Sequence, residues 1–190
     1  MLTTSLTDID DLVERLARLS AADNWAKALN PPQRAALSYL SRANRVSRCP
    51  SHVADYMGVT RGTASQTLKS LVRKNMIKAQ RSASYGRSVS YRLTAAGLQA
   101  LKRPIVLEQT LETLDTQVVS ELAAVLKTLL REVLKVCKQK AFGIFRGCIH
   151  NQKTETATKT LSYCGLLNVA LQVDETDRIC HEFTDFPRNS

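Results

Sequence analysis

The first thirty residues place apolar side chains on one face of a helix, with acidic residues near its start. This pattern predicts an amphipathic helix from about Leu6 to Leu29. Asn30-Pro31-Pro32 then interrupts the pattern, and because proline suits the first turn of a helix, a second helix is predicted from Gln33 to about Ala43. The apolar stripe of the first helix consists of Leu6, Ile9, Leu12, Val13, Leu16 and Leu19.

Two further helical patterns follow, with a glycine between them. Ser51 is a suitable N-cap for the first, which runs to Met57 and ends at Gly58. Thr60 caps the second, which is predicted to reach about Asn75. A short helix, a turn and a longer helix in this order are typical of a helix–turn–helix.

After residue 76 the period changes. Ile77 to Arg81 and Val89 to Leu93 are predicted to form two short strands, and the turn-rich residues 82–88 join them into a hairpin.

Helical periodicity returns over residues 94–140. Thr94 caps its start, Pro104 is expected to break it, and Asp115 or Thr116 begins a last long helix through about Lys140. The last helix carries a wide apolar stripe that consists of Val118, Leu122, Val125, Leu126, Leu129, Val133 and Val136.

Positive charge is concentrated in one third of the chain. The net charge is +10, and residues 41–103 hold 13 Lys and Arg against a single acid, Asp55, so the rest of the chain is close to neutral. Such a block indicates a polyanionic partner, most simply nucleic acid. A surface built only for solubility would mix both signs along the chain.

Composition favours a folded cytoplasmic protein. A hydrophobic fraction of 44% in 190 residues is enough to build a core, and no apolar run approaches the ~20 residues that span a bilayer. The opening residues lack the features of a secretory signal. In the reducing compartment expected from this, the five cysteines are thiols or metal ligands rather than a disulfide framework.

The second helix of the helix–turn–helix presents one apolar and one polar face. Ala64, Leu68, Leu71 and Val72 are predicted to pack inward. Short polar side chains on the other face allow close approach to base edges, while Arg and Lys reach guanines or phosphates. The residues expected to contact DNA from this helix are Arg61, Thr63, Ser65, Gln66, Lys69 and Arg73.

The hairpin after this helix is basic. It carries Arg81 and, near its tip, Arg87, which are both expected to contact DNA. A basic hairpin beside a recognition helix forms a wing that suits the minor groove and its phosphates.

The order of these motifs resembles the MarR family of winged helix–turn–helix regulators. The resemblance rests on HVADYMGVTRGTASQTLKSLVRKNMI, on the later GRSVSYRLTAAG, and on Leu93-Thr94 followed by Gly97, and it covers about residues 6–140. One departure is that the Asp commonly found before the wing-tip Arg is absent from Ser84-Tyr85-Gly86.

The resemblance implies a mainly α fold with a small β-wing, in which N- and C-terminal helices form a dimerisation bundle. Residues 1–30 are then an N-terminal dimerisation helix, 31–100 the DNA-binding domain and 101–140 the C-terminal dimerisation helices. A homodimer would bind a pseudo-palindromic operator on double-stranded DNA as a transcription regulator, more often a repressor in this family. The apolar stripes of the first helix and the last long helix independently favour a dimer, because they are more than one small winged domain can cover.

Residues 141–190 lose periodicity and are expected to contain little regular structure. They hold three cysteines and two histidines, and a metal held by thiolates is one way to order such a tail. The predicted ligands, for zinc or an iron–sulfur cluster, are Cys148, His150, Cys164 and Cys180.

The fourth ligand is the open point of this set. Some MarR-like proteins carry a Cys-x-x-Cys in this extension, and here Phe145 stands at the earlier position, so a histidine must supply the missing ligand. The two-residue spacing from Cys148 favours His150, whereas His181 directly follows Cys180. Buried or redox-active thiols without metal are the alternative.

The position of this centre after the dimerisation helices suggests that it senses redox or metal status. Three other functions are alternatives to such a regulator. An enzyme is disfavoured because the basic block contains only one carboxylate, and no orienting acid accompanies Cys148 and His150. A non-specific architectural DNA binder would need no sensory tail. A regulator controlled by a small aromatic or apolar ligand would bind it between the wing domain and the dimer helices.

Overall fold

The computed structural model describes residues 6–25, 29–81, 89–156 and 159–186. The helices are α1 (Leu6–Trp25), α2 (Pro31–Arg42), α3 (Pro50–Met57), α4 (Arg61–Arg73), α5 (Ala95–Leu101), α6 (Val106–Glu112) and α7 (Thr116–Val136). The strands are β1 (Ile77–Arg81), β2 (Val89–Leu93), β3 (Gly143–Ile144), β4 (Asn151–Thr156), β5 (Lys159–Cys164), β6 (Val169–Leu171) and β7 (Ile179–Cys180).

A winged helix–turn–helix forms the centre of the molecule. Helices α2, α3 and α4 pack with the β1–β2 hairpin around one apolar core. The hairpin is antiparallel, with Ile77 opposite Leu93 and Arg81 opposite Val89, so both predicted strands are confirmed. The fully buried side chains of this core include Leu37, Tyr39, Leu40, Val53, Leu68 and Leu71.

Side-chain caps fix most helix starts. The hydroxyl of Thr60 accepts a hydrogen bond from Thr63 N at 3.2 Å, and Thr94 caps α5 in the same way. The expectation for Ser51 was wrong. Helix α3 begins at Pro50, because proline occupies the first helical position and Cys49 stands before it as the N-cap.

The helical stretch after the wing breaks where Pro104 predicts. Helix α5 ends at Leu101 and α6 begins at Val106. Asp115 caps α7 by accepting from Gln117 N at 2.7 Å. None of the α7 side chains, all of which are described, is buried, and the apolar stripe of α1 is exposed as well.

The tail does contain regular structure, contrary to expectation. Strands β3 and β7 form an antiparallel pair, and β4, β5 and β6 form a three-stranded antiparallel sheet. The strands are only two to six residues long, and the polar β4 shows no apolar alternation in the sequence, so the pattern gave no strand signal. We call residues 143–186 the C-terminal module.

The C-terminal module packs against the connection between α2 and α3. Ala43 forms a parallel bridge with Ile179, and Asn44 N donates to the Ile179 carbonyl at 2.9 Å. Ile179 belongs to the winged-helix core, while Val46 belongs to a second core inside the module. The module therefore shares its packing with the DNA-binding domain. Among the described helices, none has the length and apolarity needed to cross a membrane.

Candidate nucleic-acid interface

Helix α4 is held by three buried side chains on one face. Ala64, Leu68 and Leu71 have no exposed surface and pack into the winged-helix core, as predicted. Val72 departs from the prediction, since it is 39% exposed and lies beside the wing. The core thus fixes the rotation of α4 and determines which face meets solvent.

The opposite face of α4 carries the predicted DNA contacts. Ser65 is half-buried there, and the Thr63 hydroxyl lies 2.9 Å from the Thr60 hydroxyl, so Thr63 also contributes to the helix cap. Short polar groups flanked by cations are what base and phosphate contacts require. The exposed side chains of this face are Arg61, Thr63, Gln66, Lys69 and Arg73.

A groove separates α4 from the wing hairpin. Its lining combines polar and cationic groups of the helix with Tyr91 and Ala79 of the hairpin. Arg81 is exposed at the end of β1, while Arg87 lies outside the described residues. The full lining is Gln66, Lys69, Val72, Arg73, Ala79 and Tyr91.

The structure adds residues that the sequence reasoning did not select. Lys78 and Arg92 are both exposed and face each other across the hairpin, next to Ala79 and Tyr91. Alternation along a two-stranded hairpin was the signal that would have grouped the two cations. Because side chains alternate along a strand, both lie on the face of the hairpin opposite Ala79 and Tyr91, so they add positive charge to the wing outside the groove.

Asp55, the only acidic residue of the basic block, contacts a histidine of the C-terminal module. Asp55 Oδ2, near the C-terminal end of α3, lies 2.9 Å from Nε2 of His181. The exposed cations of α4 therefore have no carboxylate from their own block beside them, and the positive field remains available for an anion.

The structure brings three of the predicted metal ligands into one buried cluster. Cys148, Cys164 and Cys180 are each at most 2% exposed, and they pack with Phe145 and Val46. Burial raises the pKa of the Cys180 thiol. Cys148 Sγ accepts a hydrogen bond from Thr184 N at 3.5 Å.

The three thiols of this cluster are suitable ligands for a soft metal, but their sulfur atoms are too widely spaced to surround a single ion as they stand. One zinc ion holds its thiolates at about 2.3 Å, which brings the sulfurs close together. A compact ligand group is three or more possible metal ligands whose ligand atoms lie within 4.8 Å of one another. In the part of the chain that the structure describes, no such group contains Cys148, Cys164, Cys180 or His150. Three thiols and one imidazole are the donor set that zinc or an iron–sulfur cluster would require.

The two histidines of the C-terminal module differ in their positions and hydrogen bonds. His181 directs both ring nitrogens to carboxylates of Asp55 and Glu182, so it faces away from the thiols. His150 is half-buried in the turn before β4, and its carbonyl accepts from Gly165 N. Phe145 is fully buried and packs in the same cluster as the three thiols.

Comparisons with known proteins agree with this geometry. The model of the MarR family matches residues 29–88, which span the helix–turn–helix and most of the wing. No curated protein sequence matches the chain.

Solved structures show the same fold. A MarR transcriptional regulator from Methanosarcina mazei Go1 superposes with a TM-score of 0.54 at 19% identity, covering 67% of this chain and 97% of that one. Wild-type MarR from E. coli in its apo form gives 0.52 at 19% identity, covering 66% and 97%. The S. aureus MepR–DNA complex gives 0.51 at 19% identity, covering 67% and 98%. Nearly the whole of each of these structures is covered, whereas about a third of this chain has no counterpart in them.

Proposed function

We propose that this protein is a transcription regulator that acts as a repressor and binds a pseudo-palindromic DNA operator as a homodimer. The observation that carries the proposal is the exposed polar and cationic face of α4, which the core orients outward beside a basic wing. The match of residues 29–88 to the MarR family and the fold shared with a MepR–DNA complex support it. Gln66 and Lys69 then read base edges and phosphates in the major groove.

A second copy of the chain is the occupant we propose for the apolar faces of α1 and α7. The side chains of both stripes are exposed, from Leu6 to Leu19 and from Val118 to Val136, and Val136 is 83% exposed. Contiguous apolar surface on two long helices is rarely left in water by a soluble chain. Pairing two chains through these helices buries the stripes and places two copies of α4 on one side of the dimer.

The thiol cluster supports a sensory role for the C-terminal module. Cys148, Cys164 and Cys180 are proposed to hold an iron–sulfur cluster or zinc, with His150 as the fourth ligand. Such a centre supplies redox or metal sensitivity when bound. Val46 and the Ala43–Ile179 bridge join the module to the α2–α3 connection, which is the physical link from the thiols to the DNA-binding domain.

The DNA proposal is tested by selecting bound sequences from a random oligonucleotide pool and measuring affinity against salt. Lys69→Ala should weaken binding to all sequences and lower the salt slope by about one, because one phosphate contact is lost. Gln66→Ala should relax preference at one position and leave the salt slope unchanged.

Lys127→Ala is the matched control for these variants. It removes one exposed cation from α7, outside the proposed interface, and should bind like the wild type. Equal affinity for selected and unrelated duplexes would favour an architectural DNA binder instead. An unchanged salt slope for Lys69→Ala would remove Lys69 from the contact set.

The thiol centre is tested by the iron, zinc and sulfide content of anaerobically purified protein. Iron with matching sulfide, lost in Cys148→Ser, is the expected result. Protein that contains neither metal and still responds to an aromatic ligand in the DNA assay would support the small-ligand regulator and reject the metal centre.

A further inference from the structure

A buried group of histidines and carboxylates lies where α3 meets the end of the C-terminal module. His52 projects from α3, and His181 and Glu182 directly follow β7. The rings of His52 and His181 stack with centroids 3.8 Å apart and planes 17° apart. Both histidines are buried, at 6% and 5% exposed. The chain therefore assembles this group from two segments that are far apart in the sequence.

The ligand atoms of the group are close together. One side-chain nitrogen of His52, one of His181 and a carboxylate oxygen of Glu182 all lie within 4.8 Å of one another. His181 Nδ1 and Glu182 Oε1 are 2.9 Å apart. Neighbours in sequence can share an ion here because the long Glu182 side chain folds back onto the imidazole of His181.

The donors suit a borderline divalent metal. Two imidazole nitrogens and one carboxylate oxygen are a common ligand set for Zn²⁺ and related first-row ions, which leaves one position for water. Burial, together with the adjacent His181, lowers the pKa of His52 to about 4, so its imidazole is neutral and keeps a lone pair at pH 7.

Asp55 completes the arrangement from outside. Its Oδ2 lies 2.9 Å from His181 Nε2, the nitrogen that does not face Glu182. When a metal binds Nδ1, the proton must sit on Nε2, and Asp55 then accepts it in a hydrogen bond. A carboxylate in this position fixes the tautomer and ring orientation of a ligating histidine.

We propose that His52, His181 and Glu182 form a binding site for a divalent transition-metal ion at the junction of the helix–turn–helix and the C-terminal module, with Asp55 positioning His181. The site uses no cysteine, so it is separate from the thiol cluster and does not depend on that cluster holding a metal. It goes beyond DNA binding because its ligand is a single cation.

Metal binding at this site acts directly on α3. An ion lies near the plane of each imidazole that binds it, and two nearly parallel rings cannot both satisfy this, so the stack must open. His52 moves on α3, the first helix of the helix–turn–helix, while the other two ligands stay on the module. The ion takes the place of the hydrogen bond between His181 Nδ1 and Glu182 Oε1.

The test uses full-length reduced protein, freed of metal by chelation and titrated anaerobically with Co²⁺. Cobalt bound to nitrogen and oxygen shows weak visible bands, whereas cobalt bound to thiolate adds an intense near-ultraviolet charge-transfer band. We expect one equivalent with the first signature, whether or not the thiols bind cobalt as well. Zn²⁺ affinity is then measured by competition with a chromogenic chelator.

The variants separate this site from the thiol cluster. His52→Gln and Glu182→Gln should each weaken Zn²⁺ binding at least tenfold, and Asp55→Asn should weaken it roughly tenfold to hundredfold through His181. Asp177→Asn removes an exposed carboxylate of the C-terminal module that lies in neither site, and it should bind Zn²⁺ as the wild type does. Cys148→Ser should keep the weak visible bands that cobalt gives at the histidine site.

Two results would overturn the site. One is wild-type affinity in both His52→Gln and Asp55→Asn, and the other is a charge-transfer band that accounts for all bound cobalt and vanishes in Cys148→Ser. Asp55 is 44% exposed, so Asp55→Asn keeps the test valid if His52→Gln fails to fold. Neither result changes the expected affinity for DNA.

Discussion

At the scale of single residues, the contact between α5 and the end of α4 depends on a missing side chain. A Cβ placed on Gly97 would lie 2.2 Å from the Met76 carbonyl oxygen, which also accepts from Thr94 N at 3.0 Å. The glycine therefore allows the first turn of α5 to sit directly on the backbone before β1. This is the physical reason for a glycine three residues after the threonine cap.

Gly97→Ala should lower the free energy of unfolding by about 1–3 kcal/mol, because the added methyl meets backbone that cannot turn away. The measurement is urea denaturation followed by circular dichroism. Gly62→Ala is the matched control, since its nearest neighbour would be Thr60 Oγ1 at 3.7 Å, an ordinary contact. Equal stability of the two variants would contradict the packing explanation.

Tyr39 joins two elements through one buried hydroxyl. Its Oη donates to the Ser47 carbonyl at 2.7 Å, and burial, with Cys180 and Tyr56 nearby, raises the pKa of Tyr39 well above its ordinary value. Tyr39→Phe should therefore cost about 1 kcal/mol of unfolding free energy at pH 7.

The difference between Tyr39→Phe and the wild type should change with pH. The folded state keeps the Tyr39 proton, whereas the unfolded chain loses it above about pH 10, so wild-type stability falls by about 1.4 kcal/mol per pH unit beyond that point. Tyr39→Phe lacks this loss, and the two stability curves should cross near about pH 11. A constant difference from pH 8 to pH 11 would show that the hydroxyl titrates normally.

At the scale of elements, both the polar and the apolar side chains of α7 are exposed in the single chain. Leu129→Glu places a charge in the middle of the apolar stripe and should weaken dimerisation at least a hundredfold, roughly the effect of burying one uncompensated charge. Sedimentation velocity over a range of protein concentrations measures it, and operator affinity should fall in parallel.

Ala124→Glu is the control for α7. It adds the same charge to the same helix, but on the side opposite the stripe, where Ala124 is exposed. It should remain dimeric. Dissociation of both variants to the same degree would mean that charge on α7, rather than the stripe, determines assembly.

Helices and strands that are marked by neighbouring residues could be predicted from the sequence. Strands that form only by pairing with a distant segment could not. Thr60, Thr94 and Asp115 mark helix starts because each cap acts within three residues. Ser51 misled because Pro50 already occupied the first helical position. The module's strands β3 and β7 have two residues each and exist only because they pair across a long separation, which no local pattern records.

At the scale of the whole molecule, one ion pair clamps the module to the DNA-binding domain. The Arg45 guanidinium contacts Glu175 and the Ala170 carbonyl, and Arg45 N donates to Glu175 Oε1 at 3.0 Å. The Glu175 side chain is only 8% exposed. The pair is therefore partly desolvated and spans the boundary between the two parts of the chain.

Glu175→Gln should lower the free energy of unfolding by about 1–3 kcal/mol, since it leaves Arg45 without its buried counter-charge. Asp177→Asn breaks the exposed pair with Arg146 and should cost less than about 1 kcal/mol. Thermal denaturation of both variants compares them. Equal losses would mean that the Arg45 pair contributes no more than a surface contact.

The candidate sites divide in the same way as the elements. The reading face of α4 follows from helical periodicity within 13 residues, so it could be predicted from the sequence. His52 and His181 lie far apart in the chain, and only the docking of β7 beside Ala43 brings their rings together. A site made by tertiary packing leaves no spacing motif to read.

The position of Ile179 in the winged-helix core has a consequence for biosynthesis. The ribosome makes α4 long before it makes β7, so the emerging DNA-binding domain lacks the residue that covers Ala43. A chain truncated by a premature stop exposes that surface to chaperones and proteases. A chain cut short before β7 is thus expected to be degraded rather than to persist as a stable fragment.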